Sequence, residues 1–323
     1  MAERLPTIPF ELQPRQKNLG FDLDRALAGI VSVKALAPDD AFTARSLGTE
    51  RLGHGVVIRQ SGLVLTVGYL IIEAQEVWLR TIDGRVIAGH ALAYDQETGF
   101  GLVQAMASLD LPVLPFGASR EVAPGDSLII AGSGGREATL AACCVGRQPF
   151  AGYWEYWIAE AIMTAPAHPF WGGAAAIDEH GRLAGVASLQ VEAGDAKSSQ
   201  SLNMVIPIDL LPPVLDDLVK YGRPNRPARP WLGIYATELG ERIVIAGIAD
   251  DGPAEQAGVE IGDILVAVAG EKATALGEVW RRIWAQGPAG VEIPLLIERQ
   301  DRVLEVRVKS ADRLLFTRAR VIH

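Results

Sequence analysis

The chain has 323 residues, 49% of them hydrophobic and 21% charged, which is enough to bury a substantial core in two or three domains. Its net charge of −9 is dispersed and its basic residues form no aromatic-interleaved stripe, which argues against a nucleic-acid partner. No apolar run reaches membrane-spanning length, and the opening MAERLPTIPFELQPRQKNLGFD carries no apolar signal-peptide segment, so a cytoplasmic protein with no membrane span is expected.

After an N-terminal arm over residues 1–28, short apolar runs alternate with Gly, Asp and Pro clusters. They read AGIVSVKAL, HGVVIRQSG, LVLTVGYLII, EVWLRTIDGR, VIAGHALAYD, FGLVQA, DSLIIAGSGG, TLAACCVGR, YWEYWIAEAIM, RLAGVASLQV and SLNMVIPI. Strands at this spacing, with turn residues between them, predict an antiparallel barrel or sandwich rather than βαβ units, over roughly residues 25–207. Cys143 and Cys144 are adjacent, and strand neighbours point to opposite faces, so a bridge between them is strained and both read as small strand residues. IDLLPPVLDDLVKYG predicts a helix, because Val214, Leu215 and Leu218 recur at helical spacing after a proline pair and Gly222 follows the end. GRPNRPARP, with three prolines and three arginines in nine residues, predicts a stiff solvated linker.

Three blocks carry a resemblance. RLGHGVVIRQSGLVLTVGYLI, DGRVIAGHALAYDQETGFGLVQA and HPFWGGAAAIDEHGRLAGVAS resemble, in order and separation, the segments that hold the histidine, aspartate and serine of the HtrA/Deg family of trypsin-like proteases. SLNMVIPID resembles the strand before that family's connecting helix. Carried over position by position, the resemblance puts Tyr69 at the histidine, Gly99 at the aspartate and Trp171 at the serine position. Pro169 falls where the family has a glycine whose N–H helps to hold the oxyanion, and proline has no N–H to give. A serine becomes a nucleophile only beside an oriented base. The resemblance therefore implies a pseudoprotease: no enzyme, no catalytic residues and no cofactor.

Other polar residues of the barrel have ordinary readings. AGSGG, residues 131–135, superficially matches a serine-protease signature but precedes the nucleophile block and reads as a turn. His54 and His168 both fall near the former cleft by resemblance. Two imidazoles without further ligands make only a weak metal candidate, and hydrogen-bonded histidines are the plainer reading. YWEYW, residues 153–157, reads as alternating strand residues, core and rim, with a contact surface as the second use.

Residues 230–309, beginning PWLGIYATEL after Arg229, resemble a PDZ domain of the HtrA type through WLGI, GPAEQAGV and GDIL in family order. PDZ domains take up a peptide as an added strand and hold its terminal carboxylate with backbone N–H groups. The resemblance implies a carboxylate loop at Leu232, Gly233 and Ile234, strand pairing along Ile234, Tyr235, Ala236 and Thr237, and a side-chain pocket walled by Val279 and Ile283. The whole reading is a mainly β chain. It consists of the arm, a two-lobed trypsin-like (chymotrypsin-fold) antiparallel β-barrel domain over residues 29–221, a linker over 222–229, a PDZ domain over 230–312 and a tail over 313–323. It would bind a protein or peptide C-terminus as an adaptor, a chaperone-like subunit or a stable component of a multiprotein complex, and the family implies a homotrimer. The opposing reading is a hydrolase with a relocated nucleophile, or a metal-dependent one built on His54 and His168.

Overall fold

The first six strands are rich in buried apolar residues, and a strand with a buried face is stable only when its sheet is covered or closed. β1 (Ile30–Leu36), β2 (Glu50–Arg59), β3 (Leu63–Val67), β4 (Glu76–Arg80), β5 (Val86–Tyr94) and β6 (Phe100–Ala105) close into an antiparallel barrel in the order β1-β2-β3-β6-β5-β4. Its interior is filled by side chains such as Val33, Val56, Leu65, Leu79, Phe100 and Leu102, all fully buried. The structure is a computed structural model and describes residues 7–194 and 199–317. The outer parts of the expected arm and tail, with His323, lie outside the described residues.

A short helix, α1 (Leu23–Ala28), precedes this barrel, and two more, α2 (Ala44–Leu47) and α3 (Gly68–Ile71), lie in its connections. The Asp22 side chain caps α1 by accepting from the Arg25 N–H at 3.0 Å. LVLTVGYLII is therefore not one strand. The ladder ends at Val67, and the chain turns into α3 at Gly68, where an added Cβ would stand 2.0 Å from the Tyr94 ring.

A second barrel of β7 (Ser127–Ala131), β8 (Thr139–Gly152), β9 (Tyr156–Ala165), β10 (Ala175–Ile177), β11 (Leu183–Ala193) and β12 (Gln200–Pro207) closes in the order β10-β11-β12-β9-β8-β7. Helix α4 (Pro212–Tyr221) follows as the sequence predicts. Val214, Leu215 and Leu218 are buried, and Gly222 ends it in the left-handed region at φ +72°. Cys143 and Cys144 are free thiols on β8.

The described residues form two compact units. One holds residues 7–148 and 160–224, and so both barrel cores; the other holds 149–159 and 225–317. In the second unit β13 (Ile234–Leu239), β14 (Arg242–Ile248), β15 (Ile264–Val268), β17 (Glu292–Arg299) and β18 (Arg302–Lys309) make an open antiparallel sheet, with the short β16 (Glu271–Lys272) paired to β15. Helices α5 (Pro253–Gln256) and α6 (Leu276–Ala285) complete it. Trp280 of α6, the bulkiest fully buried side chain, sits in a core with Leu232, Ile234, Ala236, Val279 and Ile283. Residues 149–159 belong to this unit too, and the expected strand through YWEYW is corrected here. Tyr153, Trp154 and Glu155 form a turn with Glu155 at φ +57°, a conformation that breaks the alternation of a strand.

Phe100 fills the first barrel from β6, opposite Val67 in the ladder. Phe100→Ala should lower the barrel's unfolding free energy by about 3–5 kcal/mol, read as a reduced denaturation midpoint followed by circular dichroism.

Candidate functional site

Within the barrel unit, the positions singled out in the sequence do come together. The Tyr69 hydroxyl, at the start of α3, donates to the Ser188 carbonyl at 2.7 Å, and a Cβ at Gly172, the residue after Trp171, would stand 2.9 Å from it. Burial pushes the Tyr69 phenol well above its ordinary range. The carbonyl of Gly99 accepts from the N–H of Gly68, the residue before Tyr69. Trp171 packs on the second barrel's core, and the loop behind it is pinned to β2 because the His54 N–H donates to the Gly172 carbonyl at 2.8 Å. Gly173 sits at φ +83°, and a Cβ there would fall 2.0 Å from the His54 carbonyl oxygen. The contact between this loop and β2 therefore requires glycine.

His54 and His168 are both buried, with ring centroids 6.4 Å apart. Nδ1 of His54 accepts from the Ser133 N–H at 3.0 Å, which assigns the ring proton to Nε2, and this donates to the Phe170 carbonyl at 3.0 Å. The Ser133 hydroxyl oxygen is also 3.0 Å from Nδ1. For His168, Nδ1 accepts from the Phe170 N–H at 3.1 Å and Nε2 donates to the Ala138 carbonyl at 3.1 Å. All four ring nitrogens thus sit in protein hydrogen bonds that suit neutral imidazoles. Burial, with the neighbouring His168 as a second cause, pulls His54 down to about 3, and burial lowers His168 as well. Among the described residues no group of three or more His, Cys, Asp or Glu side chains is placed to hold a metal ion.

The second unit holds the more distinctive site. At Leu232-Gly233-Ile234 the backbone bends, with Gly233 at φ +78°, so that three consecutive N–H groups converge on one carboxylate, that of Glu155. Oε1 lies 2.7 Å from the Gly233 nitrogen and 3.1 Å from those of Leu232 and Ile234, and Oε2 is 3.1 Å from Leu232. Backbone donors in succession make an anion-binding concavity. Burial pushes the Glu155 carboxyl up to about 7, against the downward pull of these N–H groups and of Arg313. Of the other residues expected at the groove, Ala236 is buried and Tyr235 and Thr237 are half-buried along β13. Val279 and Ile283 are wholly enclosed in the core. Glu155 is the residue that sequence reasoning missed; its only signal was a lone charge inside an aromatic run.

Comparison with known proteins fits this geometry. Residues 53–186 match the family of trypsin-like peptidase domains and residues 230–310 match PDZ domains. The chain is 26% identical over 277 residues to the serine endoprotease DegS of Escherichia coli K12, a match that covers 80% of this chain and 76% of the relative. It is 26% identical over 246 residues to a probable periplasmic serine endoprotease of DegP type from Pseudomonas fluorescens, covering 70% of this chain and 49% of that protein. The fold is shared with the HtrA-type protease AlgW solved with a decapeptide, at a TM-score of 0.54 and 18% identity, covering 90% of this chain and 97% of that one. The chain thus joins a region that matches trypsin-like peptidase domains to one that matches PDZ domains, and it shares its fold with HtrA-type structures.

Two expectations are corrected by these relatives. The expectation of a non-enzyme conflicts with a set of proteins named as serine endoproteases. It rested on the residues carried to the triad positions and on Pro169, whereas a catalytic pairing is defined by geometry and not by place in the sequence. The cytoplasmic expectation conflicts with relatives named as periplasmic. It rested on how the chain begins, and that decides no compartment. Among the described residues no helix is long and apolar enough to cross a membrane.

The histidine pair sets a pH dependence. Each has a folded-state pKa depressed below its unfolded value, so its contribution to stability is complete above about pH 6.5 and is lost on acidification, at His54 as pH falls toward 3. The loss at His54 alone should be on the order of 4 kcal/mol. Unfolding free energy measured from pH 7 to 4 should fall steeply, and His54→Gln should flatten that slope whatever its effect at pH 7.

Proposed function

We propose that this chain is an HtrA-family protein that recognises the C-termini of other protein chains at its PDZ unit and acts on or with them as an adaptor or chaperone-like component of a larger assembly. The observation that carries this reading is the convergence of the Leu232, Gly233 and Ile234 N–H groups on a carboxylate at 2.7–3.1 Å. A terminal carboxylate makes the same demand on a binding loop: several donors, no competing acceptor and no Cβ in the way. Support also comes from β13, which lies at the edge of its sheet, where an added strand finds main-chain partners. The relatives named as endoproteases and the solved AlgW complexes with peptides support a role exercised on polypeptides. We extend the reading to residues 222–229 as the linker between a trypsin-like domain over 29–221 and the PDZ domain, and to a homotrimer as the assembly.

The reading is tested with the full chain and a panel of dye-labelled peptides, each made with a free and with an amidated C-terminus. Charge-assisted hydrogen bonds contribute about 1.5–3 kcal/mol each, so amidation should weaken binding at least tenfold. Gly233→Val should do the same, because the position lies at φ +78° and its Cβ would crowd Trp231 and Ala249 at 3.1–3.2 Å. Equal binding of free and amidated peptides would remove the carboxylate loop from recognition.

A further inference from the structure

The loop that receives a carboxylate is already filled by one from its own chain, and the fit extends well beyond that carboxylate. The segment Pro149–Ala159, which joins β8 to β9 along the chain and lies in the PDZ unit, runs between the two elements expected to clasp a peptide. On one side, the Ala236 N–H of the edge strand β13 donates to the Tyr153 carbonyl at 2.9 Å, a main-chain bond of the kind an added strand makes. Tyr153 also lies against Tyr235, with ring centroids 6.0 Å apart. On the other side, the Trp280 indole N–H of α6 donates to the Gly152 carbonyl at 2.9 Å, inside the core. A Cβ at Gly277 would come within 3.0 Å of the Trp157 ring, and the Arg281 guanidinium lies 5.2 Å from the Trp157 ring centroid. Ala151 and Trp157 add their apolar surface to the PDZ core.

Three requirements of a PDZ ligand are therefore met by one internal segment: a carboxylate in the N–H loop, a backbone bond to the edge strand and side-chain contact with the helix. We propose that residues 149–159 are a built-in ligand of the PDZ groove, the side-chain carboxylate of Glu155 standing in for a peptide's terminal carboxylate, so that an outside C-terminus binds only when this segment leaves. This rests on the peptide-capture reading above and adds a closed state to it.

Two features of the segment suit a removable ligand. An internal residue has no terminal carboxylate, so it must present a side chain instead. Glu155 reaches the loop by adopting φ +57°, where a residue with a Cβ is held at a cost that release relieves. Glu155 is also 3% exposed, so its charge has exchanged water for the N–H groups of the loop; freed of the loop, it regains that water. A purely architectural hairpin would need no buried carboxylate. An apolar tip would pack the same space with no desolvation penalty.

The experiment compares full-length wild type and Glu155→Ala, with circular dichroism to establish that both are folded. The first readout is amide hydrogen exchange over residues 230–237. Removing the carboxylate and unseating the segment should speed exchange there at least tenfold; unchanged exchange would overturn the proposal. Gly152→Pro is a second variant. It leaves Glu155 in place but distorts the turn where a Cβ would meet the Trp154 ring at 2.9 Å, and it should release the same amides. The second readout is binding of a dye-labelled peptide with the sequence of residues 149–155, PFAGYWE, and a free C-terminus. It should bind Glu155→Ala at least tenfold more tightly than wild type, and measurable binding of equal affinity to the two would also overturn the proposal. Faster exchange without binding of this peptide or the free-carboxylate panel would uphold the internal closure and sink the peptide-capture reading, so the two failures are told apart.

Discussion

Every antiparallel sheet leaves a row of unpaired N–H and C=O groups along each edge, and most of this structure can be understood as a response to that fact. In the first unit the response is closure: β1 meets β4 and β10 meets β7, so each six-stranded sheet bonds to itself. The second unit leaves its sheet open, with β13 and β18 at the ends of the order. Its β13 edge is occupied by the chain's own 149–159 segment, through the Ala236 to Tyr153 bond and the filled loop at Leu232–Ile234. Closed barrels provide a rigid frame. An open edge provides a place where a second strand can be exchanged for the first.

The interior of the barrel unit shows how costly polar groups are kept in place. His54 and His168 are buried as neutral rings, each nitrogen committed to a backbone partner, and the Asn203 side chain accepts from the His168 N–H at 2.6 Å. These bonds tie β2, the Ser133 turn and the loop at Phe170 to one another, which is why Gly173 has no tolerance for a side chain. Uncharged, fully paired imidazoles pack much as apolar groups would while fixing a single register between loops.

Much of the fold was legible in the sequence, because alternation and turn residues report directly on which backbone positions are covered. Helix α4 was readable down to its glycine cap, since Val214, Leu215 and Leu218 repeat with helical period and Gly222 has no Cβ to oppose a left-handed turn. A run such as LVLTVGYLII carries no period at all. Its break at Gly68 depends on Tyr94, 26 positions further on, whose ring leaves no room for a side chain. YWEYW misled for a related reason: its aromatic residues suit a strand locally, yet Glu155 answers to donors at residues 232–234 that no local pattern can announce. The approach of the Tyr69 hydroxyl to the loop at Gly172, and that of Ser133 to His54, arises only when distant segments meet. Motif positions alone were a poor guide to activity, and the opening residues to compartment.

A ligand carried on the same chain as its receptor is never diluted. A partner tethered within reach of its site is held at an effective concentration on the order of millimolar. At equal intrinsic affinity it outcompetes a free C-terminus at micromolar abundance by about a thousandfold. The seating of Glu155 at Leu232, Gly233 and Ile234 therefore sets a threshold for the groove. Scattered chain ends pass unnoticed, while ends that accumulate locally, or that are held nearby by a second contact, displace the segment.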